Sequence, residues 1–426
     1  MTVAMAKEVD EQYRIRPWQH CALFLFACVL VTSRRPDALF HPQFWAEDGR
    51  VWFADAYNLG WWPALFRPET GYFQTLPRLA AASALVVPLS LAPLVLNLAA
   101  IALQALPVNL LLSIRSSAWG NLRFRALLAI TYIALPSSPE IAANITNSQW
   151  MLAFFVFLLL VASPAKSIAG RGFDVFMVLL CGLTGPFCFF LLPIAMIVAF
   201  ERRSRQCWIP VCILAASSLI QAWGLLIVSP TARSAWGALG ANSTLFVRIL
   251  AGNVFLGAML GANKLAVIPG RSFFLFLLFA AVGGTAIVAI AVVKSSIEMR
   301  LFILLACMTL AACLISPSSY APPGHTQWEL VAGASAVRYW FLPTLAFVWS
   351  LLKCFQNRSL VLKSAVAALL CLLCFGIALR WRRPAFQDFH FAEAAKRVEA
   401  APAGTVITIP ENPDGWHLRL VKRPNG

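Results

Sequence analysis

A short stretch near the N-terminus combines acidic and aromatic side chains at a spacing that suits chemistry on a bound molecule. Within residues 44–79, the side chains that stand three, four and three residues apart are Trp45, Asp48, Trp52 and Asp55. If this stretch is helical, the four share one face, because residues three and four apart are neighbours on a helix. A carboxylate on that face could act as a general base on a hydroxyl group, while the flat indole rings could pack against a sugar.

Glu47 directly precedes Asp48, so that this face has two adjacent carboxylates. Asp48 is the first candidate for a general base and Glu47 is the second. Structural roles are the alternatives for all of these residues. Asp48 could cap a helix N-terminus, Trp45 and Trp52 could belong to an aromatic belt at the membrane interface, and Glu47 and Asp55 could be solvated surface charges.

Two arginines are candidates for binding an anion. Arg78 lies in the phrase LPRLAA and Arg338 lies in AVRYWFLP, each at the end of an apolar segment. The outer end of an apolar segment lies at the depth of lipid phosphate groups. There a guanidinium group could hold the phosphate of a lipid-linked molecule with two parallel hydrogen bonds. Ordinary anchoring to phospholipid head groups is the alternative for both.

We expect the face with Trp45, Asp48, Trp52 and Asp55 to line a cavity, and further polar side chains to face that cavity. They are Glu140, Asn144, Asn147, Gln149 and His325. The alternative for the asparagines is turn formation, because their side chains readily hydrogen-bond to nearby backbone. The alternative for the lone histidine is a purely structural role.

The elements that must position these residues are membrane helices. The chain has 426 residues, of which 60% are hydrophobic and 12% charged, whereas soluble proteins have roughly 45 to 50% apolar and about 25% charged residues. This composition excludes a soluble globular protein.

The net charge of +16 comes from cations scattered between apolar blocks, so nucleic acid is not an expected partner. All 11 cysteines lie in or beside apolar blocks, which predicts neither a disulfide nor a zinc site.

The apolar blocks predict an all-α polytopic membrane protein whose residues 1–379 form about eleven transmembrane helices. Basic clusters between the blocks place the N-terminus in the cytoplasm by the positive-inside rule. The segment 245–262 is apolar but interrupted by Arg248 and Asn253, which favours a position along the membrane surface. We place the crossings at residues 18–33, 93–114, 124–137, 149–163, 173–184, 186–200, 207–228, 271–293, 300–315, 338–352 and 360–379.

Two segments are expected to lie outside the membrane on the extracytoplasmic side. The first is a loop over residues 34–75 that contains short helices. The second is the tail 380–426, in which residues 405–409 and 417–421 partly alternate around a Pro-Asp-Gly turn and so predict a small hairpin. Charged residues are almost absent from the predicted crossings, so an ion-coupled transporter would lack its usual coupling groups.

A first span, an outer loop with the early acidic pair Glu47 and Asp48, and many further spans joined by short loops resemble the GT-C class of membrane glycosyltransferases. That resemblance implies a polyprenyl-phosphate-linked sugar donor and a first-loop carboxylate as base, which falls on Asp48 or Glu47. The order Glu-Asp departs from the commoner Asp-Glu and Asp-x-Asp, and the use of a divalent metal stays open. A set of uncharacterised bacterial multi-span proteins is also similar in the phrases EDG (47–49), GYFQTLPRL (71–79), NITNSQW (144–150), TGPF (184–187), RYWFLP (338–343) and IPENPDGW (409–416).

The resemblance leads us to expect a multi-pass protein of the bacterial inner membrane that transfers a sugar to a cell-envelope glycan or lipid on the outer face. Its partners would be the lipid bilayer, the polyprenyl-phosphate donor and that acceptor, and its C-terminus would be extracytoplasmic. One alternative is a flippase or transporter of lipid-linked glycans, which would need a continuous polar path through the spans. A second is a non-catalytic subunit of envelope assembly.

Overall fold

The computed structural model describes residues 16–137, 140–229, 237–261, 265–317, 319–333 and 337–424. Its fold is nearly all-α, as the sequence predicts, with one two-stranded antiparallel sheet near the C-terminus. In chain order the α-helices are α1 (Pro17–Arg34), α2 (Asp37–Phe40), α3 (Ala54–Leu59), α4 (Trp61–Leu65), α5 (Thr75–Ala84), α6 (Ala92–Leu112), α7 (Leu122–Ala134), α8 (Ser148–Val161), α9 (Ile168–Gly182), α10 (Phe187–Arg202), α11 (Trp208–Trp223), α12 (Ser243–Arg248), α13 (Leu256–Leu260), α14 (Arg271–Lys294), α15 (Ile297–Ile315), α16 (Gln327–Ala332), α17 (Phe341–Cys354), α18 (Leu360–Arg380) and α19 (Phe391–Ala400).

Tighter and wider helical turns extend several of these helices. The π-helical segments are Asp48–Phe53, Gly224–Val228 and Ile249–Phe255. The 3₁₀ segments are Leu89–Leu91, Ile114–Trp119, Arg205–Cys207, Leu265–Val267 and Val337–Trp340. The strands are β1 (Val406–Glu411) and β2 (Trp416–Val421).

Six helical stretches among the described residues are long and apolar enough to cross a membrane, which indicates a multi-pass membrane protein. The sequence predicts about eleven crossings, of which five coincide with these stretches and six with shorter helices such as α8, which has 14 residues. A helix of that length rises only about 21 Å, less than the roughly 30 Å of a bilayer core. The six stretches are Leu89–Leu112, Arg205–Val228, Ser243–Leu260, Arg271–Lys294, Ile297–Ile315 and Leu360–Arg380.

One of these six stretches, Ser243–Leu260, differs from the sequence prediction of a segment lying along the membrane surface. The two polar side chains that suggested this position are both bonded to backbone carbonyls. Arg248 donates to the carbonyl of Ile268 at 2.7 Å, and Asn253 donates to that of Val331 at 3.2 Å. Because these polar groups have partners inside the protein, they do not prevent the segment from being a continuous apolar helix.

The core of the helical bundle is built around α8. Its residues from Leu152 to Leu158 are almost completely buried, as expected for a helix that is apolar all round. Phe154 packs against Trp349 of α17 at a ring distance of 5.6 Å. In contrast, α14 and α18 expose large apolar side chains such as Phe279 and Val361, which suits contact with lipid.

The first loop and the C-terminal tail pack together at one end of this bundle. The ring of Phe44 contacts that of Phe391 in α19 at 5.0 Å, and the side chain of Asn58 accepts a 2.9 Å hydrogen bond from the backbone of Val421 in β2. The predicted hairpin is present, with β1 and β2 paired antiparallel from Val406 opposite Val421 to Glu411 opposite Trp416. The tail therefore supports the first loop rather than forming an independent unit.

Candidate active site

A cavity of about 660 Å³ lies where the first loop, the tail and the ends of α8 and α10 meet. Its wall contains three carboxylates and one guanidinium group, which are Glu47, Glu69, Glu140 and Arg338. Aromatic side chains make up much of the remaining wall: Trp45, Trp52, Tyr72, Trp150, Phe187, Phe190, Tyr320, Tyr339 and Trp416. This combination of acid, one cation and flat apolar surfaces suits a polar ligand with a carbon skeleton, such as a sugar.

Glu47 is placed in the cavity wall by an unusual turn. The preceding residue, Ala46, has a positive φ of 51°, which is uncommon for a residue with a Cβ atom and marks a backbone held by its surroundings. The hold comes from the tail, because the backbone amide of Ala46 donates a 2.5 Å hydrogen bond to the carbonyl of Asn412. Burial raises the pKa of the Glu47 carboxyl, and the charge of Arg338 partly opposes that rise.

Asp48 lies behind the wall and does not reach the cavity. Its side chain is completely buried and accepts hydrogen bonds from the backbone amide and hydroxyl of Thr146, at 2.8 and 2.5 Å, and from the amide of Ile145 at 3.3 Å. Burial raises the pKa of Asp48 to about 7, although these hydrogen bonds stabilise the charged form. Asp48 is the first residue of the π-helical segment, but its side chain does not cap that segment. Its carboxylate instead fixes the turn that follows Asn144.

The predicted face of the first-loop helix is partly present. Trp52 donates from Nε1 to the Thr146 hydroxyl at 2.9 Å, so it contacts the same turn as Asp48, and it also lines the cavity. Asp55, the last residue of the predicted face, forms a salt bridge with Arg78 at 3.1 Å. Trp45 precedes the helical segment, stacks on Phe386 at 4.7 Å and lines the cavity separately.

The two arginines predicted to bind phosphate lie in different places. Arg78 is 2% exposed, bonds to Asp55 and lies over the Trp52 ring at 5.1 Å, so it supports the wall from behind. Arg338 lines the cavity and forms a salt bridge with Glu140. The backbone amide of Arg338 also donates to the same carboxylate at 2.9 Å, which fixes both side chains.

The remaining predicted site residues separate into those at the cavity and those away from it. Asn147 and Gln149 line it. Asn144 is wholly buried and accepts a 3.0 Å hydrogen bond from the amide of Asn147, which is the turn-forming role. His325 is exposed and lies 3.8 Å from Glu329, away from the residues that line the cavity.

Sequence reasoning does not single out Glu411, the buried tail carboxyl beside this site. Burial raises the pKa of Glu411 to about 9, and the nearby charge of Asp48 adds to that rise. A Cβ atom on Gly49 would lie only 2.0 Å from a Glu411 carboxyl oxygen, so the glycine makes room for the tail. The available signal was the phrase IPENPDGW, which also supplies Pro413 and Trp416 to the cavity wall.

Three buried arginines hold the backbone that leads to the site. Arg34 donates to the carbonyl of Leu135 at 3.0 Å, and Arg383 donates to that of Pro136 at 2.6 Å. Arg35 donates to the carbonyl of Ala142 at 3.3 Å. The first two bonds satisfy carbonyls just beyond the end of α7, and the third holds the turn that follows Glu140, so together they anchor the chain that carries Glu140 to the cavity.

Metal-binding groups and relatives give no further assignment. Among the residues that the structure describes, no three His, Cys, Asp or Glu side chains converge in a way that could hold a metal ion. Comparison with known proteins finds no matching family model, no similar curated protein and no similar solved structure. The function must therefore be argued from the cavity itself.

Proposed function

We propose that the protein transfers a sugar from a polyprenyl-phosphate-linked donor to a hydroxyl of a cell-envelope glycan or lipid, on the extracytoplasmic side of the bacterial inner membrane. The observation that carries this proposal is the placement of Glu47. Its carboxylate lies in the wall of a cavity of about 660 Å³ that also contains Arg338, and this cavity adjoins apolar helices. The GT-C resemblance of the sequence is consistent with such a site.

Glu47, rather than Asp48, is the residue suited to act as general base. It lines the cavity, whereas the carboxylate of Asp48 is enclosed and already accepts three hydrogen bonds. The raised pKa of the Glu47 carboxyl brings it closer to the pH at which a base works best. Glu47 would take the proton of the acceptor hydroxyl while the hydroxyl oxygen attacks the anomeric carbon of the donor sugar. The bond between that carbon and the donor phosphate would break, and its electron pair would leave with the phosphate.

Arg338 is suited to stabilise the departing phosphate. A guanidinium group held in place before the reaction stabilises developing negative charge without first having to reorganise. Glu140 provides that orientation through the salt bridge and the backbone hydrogen bond. The indole rings of Trp45 and Trp150 offer flat surfaces for a sugar, and both lie in the same wall.

The apolar part of the wall suits a polyprenyl chain. Leu225, Ala312 and Cys313 line the cavity, and they belong to two of the six candidate membrane-spanning stretches. Beside them, Leu226 and Ile315 expose their side chains on the surface of the bundle. A lipid-linked donor could therefore approach from the bilayer with its head group entering the cavity.

The packing below the cavity favours an enzyme over a transporter. A transporter would need a polar path to the other end of the bundle. In the part of the chain that the structure describes, the middle of α8 instead carries Leu152, Phe154 and Phe157, all at 0% exposure. The residues of α8 and α10 that line the cavity all lie near the starts of these two helices.

The proposal predicts that Glu47→Gln abolishes sugar transfer while the protein still inserts and folds. Loss of a general base lowers the rate by roughly 10² to 10⁴-fold. The measurement is mass spectrometry of envelope glycans from cells that contain the wild-type protein, no protein, or the variant at equal abundance. Glu393→Gln, which changes an exposed carboxylate in α19, is the matched control. A hexose or pentose mass that persists in the Glu47→Gln cells, but is lost without the protein, would contradict the role of Glu47.

A further inference from the structure

A second pocket lies at the opposite end of the same helices. Its volume is about 310 Å³. Residues at the start of α8 and α10, such as Gln149 and Phe187, line the candidate active site, whereas Leu159 and Arg202, near the ends of those helices, line this second pocket. Along α8 the nearest lining residues of the two sites, Trp150 and Leu159, lie about 14 Å of helix apart.

The polar groups of this pocket are mostly cationic. Three guanidinium groups, those of Arg115, Arg171 and Arg202, face a single carboxylate, that of Asp174. Asp174 pairs with Arg115 through two hydrogen bonds of 3.1 and 2.5 Å. The pocket therefore keeps a net positive charge, which resides mainly on Arg171 and Arg202.

Arg202 is fixed in place by the end of α8. It donates to the carbonyls of Val161 and Ala162, the second at 2.7 Å, which are groups that a helix C-terminus leaves unpaired. This holds its charge at the rim of the pocket. Arg171 lines the pocket and is exposed near the start of α9, so its side chain is free to turn towards a bound anion.

The rest of the pocket is apolar and adjoins the surface that faces lipid. Leu160, Val178 and Ile209 contribute to its wall. Next to it, Phe173 and Phe176 of α9 expose 43% and 53% of their surface, as expected for side chains in contact with acyl chains. An occupant must therefore combine an anionic head with an apolar chain.

We infer that this pocket binds an anionic phospholipid, with its phosphodiester between Arg171 and Arg202 and an acyl chain along Val178 and Ile209. Basic pockets between membrane helices are known to hold anionic head groups. The predicted orientation of the chain places this end in the cytoplasmic leaflet, where anionic lipids are available. This site lies apart from the candidate active site and does not depend on the proposed transferase activity.

The experiment measures binding of phosphatidylglycerol and phosphatidylcholine to the full-length purified protein by native mass spectrometry. We expect the wild-type protein to retain phosphatidylglycerol selectively, and Arg171→Gln/Arg202→Gln to lower its apparent affinity by roughly 30-fold, on the basis of about 1 kcal/mol per basic side chain. The control is Arg123→Gln/Arg358→Gln, which removes the same charge from exposed positions outside the pocket. Its affinity should change less than two-fold.

A second variant tests the apolar part of the pocket without changing the charge. Val175 lines it and is 39% exposed, so Val175→Trp can fill the space without disturbing the core. We expect this variant to lose phosphatidylglycerol binding while its melting temperature, measured without added lipid, stays at the wild-type value. Equal binding of the two lipids by the wild-type protein, or equal losses in the pocket and control variants, would overturn the inference.

Discussion

The wall of the candidate active site and the junction behind it contain the same chemical group in opposite surroundings. Glu47 in the wall opens onto a cavity, whereas its chain neighbour Asp48 is enclosed and accepts hydrogen bonds from Ile145 and Thr146. The junction also contains Gly49 and the buried Glu411 of the tail. Asp48, a buried carboxylate with several donors, holds structure, whereas Glu47, which faces the cavity, remains available to a ligand.

This difference gives each region its own expected response to mutation. Changes in the wall should lower activity and leave stability nearly unchanged. Changes to Asp48 and Gly49 in the junction should lower stability, and activity should fall only as far as the folded fraction does. Four predictions test this separation, beside the loss of transfer expected for Glu47→Gln.

The largest of these four effects is expected for Arg338 in the wall. Arg338→Ala removes the only cation among the described residues that line the cavity, so transfer should fall by roughly 10² to 10³-fold. Arg338→Lys keeps the charge but loses the planar fork that binds Glu140, and it should have an intermediate rate. The rates are measured on purified, reconstituted protein. Arg67→Ala, at an exposed arginine paired with Asp55, is the control, and an equal loss in this variant would count against the account.

The next largest effect is expected for Asp48 in the junction. Asp48→Asn replaces one acceptor oxygen by a donor that faces the amides of Ile145 and Thr146, so the free energy of unfolding should fall by about 2 to 3 kcal/mol. Thermal unfolding in detergent measures this change. Asp414→Asn, at an exposed position in the hairpin turn, should unfold at the wild-type temperature. An Asp48→Asn protein as stable as wild type would contradict the structural role.

A smaller effect is expected where the tail meets the first loop. The Cβ atom of Gly49→Ala would lie 2.0 Å from a Glu411 oxygen and 3.0 Å from the Phe44 ring, so the substitution should cost about 1 to 3 kcal/mol of stability. Glu411→Ala removes the nearer of these contacts. A double-mutant cycle should therefore show that Gly49→Ala costs less in the Glu411→Ala background. Additive changes would indicate that the two residues are not in contact.

The fourth prediction concerns the dependence of stability on pH. The pKa of Glu411 is raised to about 9, so between its ordinary pKa and pH 9 the folded protein binds more protons than the unfolded chain. Stability from this group is therefore complete below about pH 4 and falls as the pH rises towards 9. Glu411→Gln removes this loss, and its melting temperature should exceed that of wild type by more at pH 8 than at pH 5. The same difference at both pH values would contradict the raised pKa.

The sequence was sufficient to predict the helical class, the membrane character and the hairpin, because each follows from a regular pattern of side chains. Hydropathy predicts helices at most of the right places. Five of its eleven crossings coincide with helical stretches long and apolar enough to cross a bilayer, and the others coincide with shorter helices. It also favours a surface position for residues 245–262, most of which belong to a helical stretch long and apolar enough to cross a membrane, since a single sequence does not show that Arg248 and Asn253 find carbonyl partners.

The sequence predicts where in the chain the candidate site lies, but it does not predict which role each residue of the site has. The acidic pair in the first loop indicated where to look, but Glu47 and Asp48 are equivalent in a sequence. Their separation depends on a contact over a long distance in the chain, in which the tail residue Asn412 holds Ala46 in a positive-φ turn. The spacing of the residues does not reveal that Arg78 pairs with Asp55, and the sequence therefore makes Arg78 a candidate for binding a ligand.

The central claim is that the cavity carboxylate performs the chemistry and its neighbour holds the structure. The most direct test compares Glu47→Gln and Asp48→Asn in one experiment, with sugar transfer expressed per folded molecule and the melting temperature measured on the same samples. We predict that Glu47→Gln keeps the wild-type melting temperature and loses at least about 99% of transfer, whereas Asp48→Asn melts earlier and retains transfer per folded molecule. The reverse pattern, with Asp48→Asn inactive at full stability and Glu47→Gln active, would contradict the account.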